Sequence, residues 1–178
     1  LIRIILDNIQ KLDRRTQITI LQAVVSSPHA LVKQFQNMAL KGTIPDTLAK
    51  EVKEVTDKIN VTAKLQGLGV LIEKLKAEQP SQWRAVIFTG RRETQTTIQE
   101  FLKIKGICCG LINGDTTSIN KKTIEEFTKN PDKMHVIVST EAGSEGVNLQ
   151  AANVLVNYDL PWNPMIVEQR IGRIQRLS

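Results

Sequence analysis

The order of hydrophobic patterns along this chain predicts an α/β domain built on a parallel sheet, preceded by an all-helical segment. Three observations carry the prediction. From Arg84 onward, four short runs rich in Val and Ile (85–88, 107–111, 135–139 and 153–157) alternate with three helical patterns (94–104, 118–128 and 165–174), which is how stacked βαβ units read in sequence. Those runs are mostly apolar rather than apolar at every second position, as strands covered on both faces must be. The first eighty residues instead carry apolar side chains at helical spacing.

Taken in order, Ile18, Leu21 and Val25 form one apolar stripe and Leu31, Phe35 and Met38 another, each expected to face a core. Ser27-Pro28 supplies an N-cap and first turn between them, and Gly42 a stop. Pro45 opens a more polar helix to about Ile59, and Leu65, Leu68, Ile72 and Leu75 line the core face of the next. Gln79-Pro-Ser-Gln-Trp83 is the best boundary, which divides the chain into a helical brace or linker, 1–80, and a sheet domain, 81–178.

At 178 residues, 41% hydrophobic and 24% charged, the chain suits one globular domain with an appended subdomain. Its apolar runs fall far short of the roughly 20 residues that cross a bilayer, and no secretory signal is visible. Cys108 and Cys109 are adjacent, where successive strand side chains point to opposite faces and do not easily close a disulfide. Both read as reduced, inert, core-facing or near-core residues of a cytoplasmic protein. His29 and His135 lack any carboxylate or cysteine pattern and read as structural, so no metal site is expected. The net charge of +6 favours an anionic partner without naming one. Leu1 is not an initiator methionine and Ser178 directly follows an arginine-rich helix, as in an excised piece of a longer protein.

That helix places Arg170, Arg173 and Arg176 at spacings of three, with Gly172 between the first two, aiming cations at one nearby point. Guanidinium groups are planar, always charged and able to donate two hydrogen bonds at once, which suits a triphosphate; a solvated basic helix is the alternative. In an open parallel sheet, ligands bind beyond the carboxyl ends of the strands. Thr89-Gly90-Arg91, Ile112-Asn-Gly-Asp115 and Ser139-Thr-Glu-Ala-Gly143 follow three such ends, and hydroxyls and backbone amides there can approach a phosphodiester. Local capping is the alternative for Thr89, Arg91 and Thr140. Gly143 and Gly146 mark a tight bend or a ligand's approach, and Asn148 serves equally well as a turn residue. Trp162, in the loop before the arginine helix, reads as a packing anchor, because one aromatic without neighbours makes a poor stacking platform. Asn163-Pro164 reads as cap and first turn.

Three segments, Arg84-Ala-Val-Ile-Phe-Thr-Gly-Arg91, then 136–149, then 154–164 with the arginine helix, resemble motifs IV, V and VI of superfamily 2 helicases, in that order and at appropriate spacing. The similarity is greatest to SWI/SNF-type DNA translocases, in the bacterial branch that includes the RNA-polymerase-recycling ATPase, and covers roughly half the chain. It implies a RecA-like second motor lobe. By it, Arg173 and Arg176 are arginine fingers toward the γ-phosphate, Gln169 and Glu145-Gly146 face the nucleotide, and Asn148 lies near the ribose. Arg170 binds carboxylates within or between lobes. Thr89, Gly90, Arg91, Thr140 and Gly143 contact the nucleic-acid backbone. Many eukaryotic members carry an arginine where Glu141 stands, so no Arg–DNA contact is carried over there; Glu141 and Leu160-Pro-Trp-Asn-Pro164 look bacterial.

No Gly-x-x-x-x-Gly-Lys-Ser/Thr loop is present; Gly110-Leu-Ile-Asn-Gly114 has the wrong spacing and no lysine. The resemblance therefore implies half of an ATP site, inactive alone, with ATP shared with a first RecA-like lobe of the same polypeptide that also holds Mg²⁺. Double-stranded DNA, that lobe and a transcription or chromatin-like complex are the implied partners, with no membrane, in a bacterial cytoplasm near the nucleoid. A degenerate lobe that only binds nucleic acid or protein, and a lobe of a strand-separating helicase or restriction motor, are the alternatives.

Overall fold

The computed structural model describes residues 1–80, 82–114 and 117–175, and its internal packing divides the chain at Thr62/Ala63. The first unit contains α1 (Ile2–Ile9), α2 (Arg14–Ser26), α3 (Pro28–Leu40) and α4 (Asp46–Thr56). Asp13 starts α2 by accepting the amides of Arg15 and Thr16. Ser27 starts α3 as expected, its Oγ taking the Ala30 amide at 3.1 Å with Pro28 in the first turn. Gly42, at φ +68°, ends it: the Gly42 and Thr43 amides return to the carbonyls of Ala39 and Met38, the two bonds of a Schellman cap. Leu31, Phe35 and Met38 pack with Ile5, Ile20, Ala23 and Val52.

The stripe expected on α2 faces the other way. Ile18, Leu21 and Val25 are exposed, Val25 to 64%, whereas Ile20 and Ala23 are buried. Both sets satisfy helical spacing, and the apolar faces of the neighbouring helices select the one that turns inward.

The second unit contains α5 (Ala63–Glu78), β1 (Ala85–Thr89), α6 (Arg92–Ile104), β2 (Cys109–Ile112), α7 (Thr117–Lys129), β3 (Val136–Thr140), α8 (Glu141–Ser144), β4 (Val154–Asn157) and α9 (Pro164–Ile174). The strands form the expected parallel sheet, in the order β2-β3-β1-β4, with Ile87 level with Val138 on one side and Val156 on the other. Alternation along each strand then feeds two cores. Ala85, Ile87, Val136 and Val138 pack with Leu65, Leu68 and Ile72 of α5 and Ile98 and Leu102 of α6. Val86, Phe88, Ile112 and Ile137 pack with Phe127 of α7, Leu149 and Ile174 of α9.

Because the apolar face of α5 belongs to the first of these cores, the division lies at 62/63 rather than at 80/81. Trp83, placed in the expected boundary, is buried and stacks on His135 with ring centroids 4.7 Å apart. β2 begins at Cys109, later than the apolar run, because Gly106 at φ +70° closes α6 and the Ile107 amide still bonds to Leu102. Cys108 is exposed, not core-facing; Cys109 is partly buried, and burial, with a smaller contribution from Cys108, pushes its thiol up to about 11. Among the described residues no helix is long and apolar enough to cross a membrane.

Candidate functional site

The start of α9 is set locally. Asn163 Oδ1 accepts the Met165 amide at 3.0 Å and Pro164 occupies the first turn, as expected. From that start, Ile166, Gln169, Arg170 and Arg173 of α9 face Glu141 and Glu145, beyond the carboxyl end of β3, across a pocket of about 130 Å³. Sites that enclose a whole small molecule run to several hundred Å³. This one is too small to enclose a whole small molecule.

The two arginines in the pocket differ in kind. Arg173 is half-buried, and its guanidinium makes no hydrogen bond or ion pair among the described residues; the side chains of Gln169 and Glu145 are likewise uncommitted. Arg170 is 3% exposed. It donates to Asn157 Oδ1 at 2.5 Å and to the Asp159 carbonyl at 2.9 Å, pairs with Glu141, and lies 5.0 Å from the centre of the Phe88 ring. The carboxylate partner anticipated for it is thus within its own lobe. Burial lowers its pKa to about 10, which leaves it charged at neutral pH. Arg176 lies outside the described residues.

At the sheet rim the expected nucleic-acid contacts are largely engaged internally. Thr89 is fully buried and its hydroxyl donates to Asp159 Oδ2 at 2.7 Å; the Gly90 amide donates to the same oxygen at 3.0 Å. Both serve the turn after β1, where the partly buried Asp159 carboxylate collects them. Arg91 is half-exposed at the start of α6, and Thr140 is buried. Gly143 is buried too, and a Cβ there would sit 2.5 Å from the Ile112 carbonyl and the Asn113 amide. Its smallness admits the loop beyond β2, not a ligand. Gly143→Ala should therefore destabilise the lobe by about 1–3 kcal/mol, read as a lower urea midpoint at unchanged slope.

Gly146, at φ +69°, makes the bend expected of it. Asn148 takes the turn alternative: its Oδ1 accepts the Gln150 amide at 2.9 Å, an Asx turn. Neither lines the pocket with Glu145. Trp162 is 74% exposed, so it is not the packing anchor expected within the described residues. No cluster of His, Cys, Asp or Glu among the described residues is placed to hold a metal.

Three organising residues escape a sequence reading. Asp159 gathers Thr89, Gly90 and, through Oδ1 at 2.8 Å, Lys64. Gln95 is buried and donates to the carbonyls of Ile112 and Val138 at 2.9 and 2.8 Å. Asn120 is buried, donates to the Asn113 carbonyl and accepts the Asn113 amide. A carboxylate immediately after an apolar strand, and a Gln inside an apolar helical face, are the signals that could have marked the first two.

Comparison with known proteins bears on the family and the fold. The chain is 41% identical over 130 residues to the uncharacterized ATP-dependent helicase YqhH of Bacillus subtilis, covering 71% of this chain and 22% of that protein. It is 34% identical over 110 residues to the RNA polymerase-associated protein RapA of Vibrio vulnificus, covering 61% and 11%. It thus spans less than a quarter of either relative. The Pyrococcus furiosus Hef helicase domain superposes with a TM-score of 0.58 at 21% identity, over 89% of this chain and 35% of that one, a likeness of fold. Residues 63–178 match the model of the helicase conserved C-terminal domain, the same stretch that carries α5, the parallel sheet and the arginine helix, and the chain belongs to that family.

Proposed function

We propose that this chain is the second RecA-like motor lobe of an ATP-dependent translocase on double-stranded DNA, with Arg173 and Arg176 acting as arginine fingers on ATP held mainly by a first lobe. The single observation that carries the reading is the pocket: Glu145, Gln169 and Arg173 converge there with no partners of their own among the described residues, and the space is too small for a whole nucleotide. An unpaired, half-buried guanidinium aimed into such a space suits the charge that develops on a transferring phosphoryl group. Gln169 would orient the same end of the nucleotide. Arg173 and Gln169 can donate to the anionic end of ATP, whereas the Glu145 carboxylate repels phosphate and would face another part of the nucleotide; Mg²⁺ would be held by carboxylates of the other lobe, where it would neutralise phosphate charge.

The DNA reading is supported by the net charge of +6, by similarity to the RNA polymerase-associated relative, and by the rim at Gly90 and Arg91. In the full-length polypeptide, duplex DNA should stimulate ATP hydrolysis, and the protein should displace a triplex-forming strand while leaving a plain duplex paired. Duplex unwinding at the same rate would favour a strand-separating helicase. DNA binding without any ATP turnover would leave the chain as a binding lobe and overturn the proposal.

A further inference from the structure

The side-chain network around Arg170 connects the two halves of the site just described. On one side, Asp159 holds the β1 turn through the Thr89 hydroxyl and the Gly90 amide. On the other, Glu141 opens the segment after β3 that also contains the pocket residue Glu145. Arg170 bridges them: one guanidinium nitrogen takes the Asp159 carbonyl and Asn157 Oδ1, the other takes Glu141, and the plane lies near Phe88 of β1. The carboxyl ends of β1, β3 and β4 are thereby pinned to α9 at one point. Arg173 follows one helical turn later, on the same face.

Stability alone does not account for this arrangement. Among the described residues the Arg170 Nε is buried with no hydrogen-bond partner, and a buried ion pair with such a donor is commonly no better for stability than a well-packed apolar residue. A planar fork that meets three acceptors from different segments is what only arginine provides. We infer that Arg170, with Glu141 and Asp159, is a positioning element that transmits displacement of the sheet rim to Arg173, so that nucleic-acid engagement and finger placement are coupled. This rests on the motor-lobe reading proposed above.

The test compares Glu141→Gln, Arg170→Lys and the double variant in the full-length polypeptide with Arg173→Ala. Glu141→Gln is the mild probe, since that side chain is 39% exposed; Arg170→Lys keeps the charge and loses the fork. Each single variant should lower DNA-stimulated kcat about tenfold, equivalent to about 1.4 kcal/mol, while the ATP KM and the DNA Kd change by less than about twofold, a split that marks a lost transition-state interaction. The double variant should be no worse than Arg170→Lys, because both remove one link. Hydrogen exchange should rise together in 164–174 and 89–91 in Glu141→Gln, with β3 still protected. Additive losses, loss carried by KM or DNA affinity, or exchange that rises in only one of the two segments would overturn the coupling. If Arg173→Ala abolishes turnover while Glu141→Gln matches the parent, the coupling alone falls. If Arg173→Ala is also fully active, the motor-lobe reading falls with it. Should Arg170→Lys fail to fold, Glu141→Gln decides.

Discussion

Arg173→Ala, made in the full-length polypeptide, should reduce ATP turnover by about 10³–10⁵-fold, the range an arginine finger contributes to phosphoryl transfer and equivalent to about 4–7 kcal/mol of barrier. Because the Arg173 guanidinium has no hydrogen bond or ion pair among the described residues, its removal breaks none there. Stability should then stay within about 0.5 kcal/mol, as for substitutions away from packed or paired groups, and duplex binding should be retained. Lysine at this position should restore only a small part of the rate, since a point charge on a flexible stem cannot reproduce the bidentate fork. Steady-state turnover with and without DNA, beside a binding titration, checks all three statements. A variant that turns over at the parental rate removes the finger assignment. One that loses binding and turnover together makes Arg173 a DNA contact instead.

Trp83→Ala has the second largest expected effect, on stability. The ring is buried at the junction of α5 and β1, stacks on His135 at 8° between planes, and shares a core with Leu65, Ile72, Ile87 and Ile98. Truncating a fully buried aromatic costs about 3–5 kcal/mol, through lost transfer energy and the cavity left behind. The loss should be confined to the sheet unit, because residues 1–62 have a core of their own in Ile5, Leu31, Phe35 and Val52. Hydrogen exchange resolves the two: amides of β1 and β3 should open at lower denaturant while those of α3 are unchanged. A cost under about 1 kcal/mol, the scale of ordinary surface changes, would mean that the tryptophan is peripheral.

These two residues illustrate what a sequence can and cannot convey. The helix that carries Arg173 was legible because its signal is local, with Asn163-Pro164 setting where it begins. Ser27-Pro28 and Gly42 were legible for the same reason, as were the four strands, of which the central β1 and β3 are buried throughout while the edge strands β2 and β4 are only partly covered. Trp83 falls in the stretch Gln79-Pro-Ser-Gln-Trp83, whose composition suits a boundary, and nothing local says that its last residue meets His135, 52 residues away. Ile18, Leu21 and Val25 show the same limit differently: a helix can carry two apolar faces, and periodicity does not choose between them.

The candidate site divides along that line. Of the residues that motif resemblance assigns to the nucleotide, Glu145, Gln169 and Arg173 line one pocket, whereas Gly146 and Asn148 do not. The engagement of Thr89 and Gly90 by Asp159, across 70 and 69 positions, was not expected, nor was the Gly143 contact with the Ile112 carbonyl. By itself the sequence determined the parallel sheet, its helical connections and the direction of the arginine helix, because buried strands, caps and turns are governed by interactions within a few residues. Only the tertiary structure decided which rim groups are already hydrogen-bonded, which of two neighbouring arginines is locked and which is available, and which face of α2 is buried. Those outcomes depend on partners distant along the chain, and a hydrogen bond or an apolar contact exists only once both sides have been brought together.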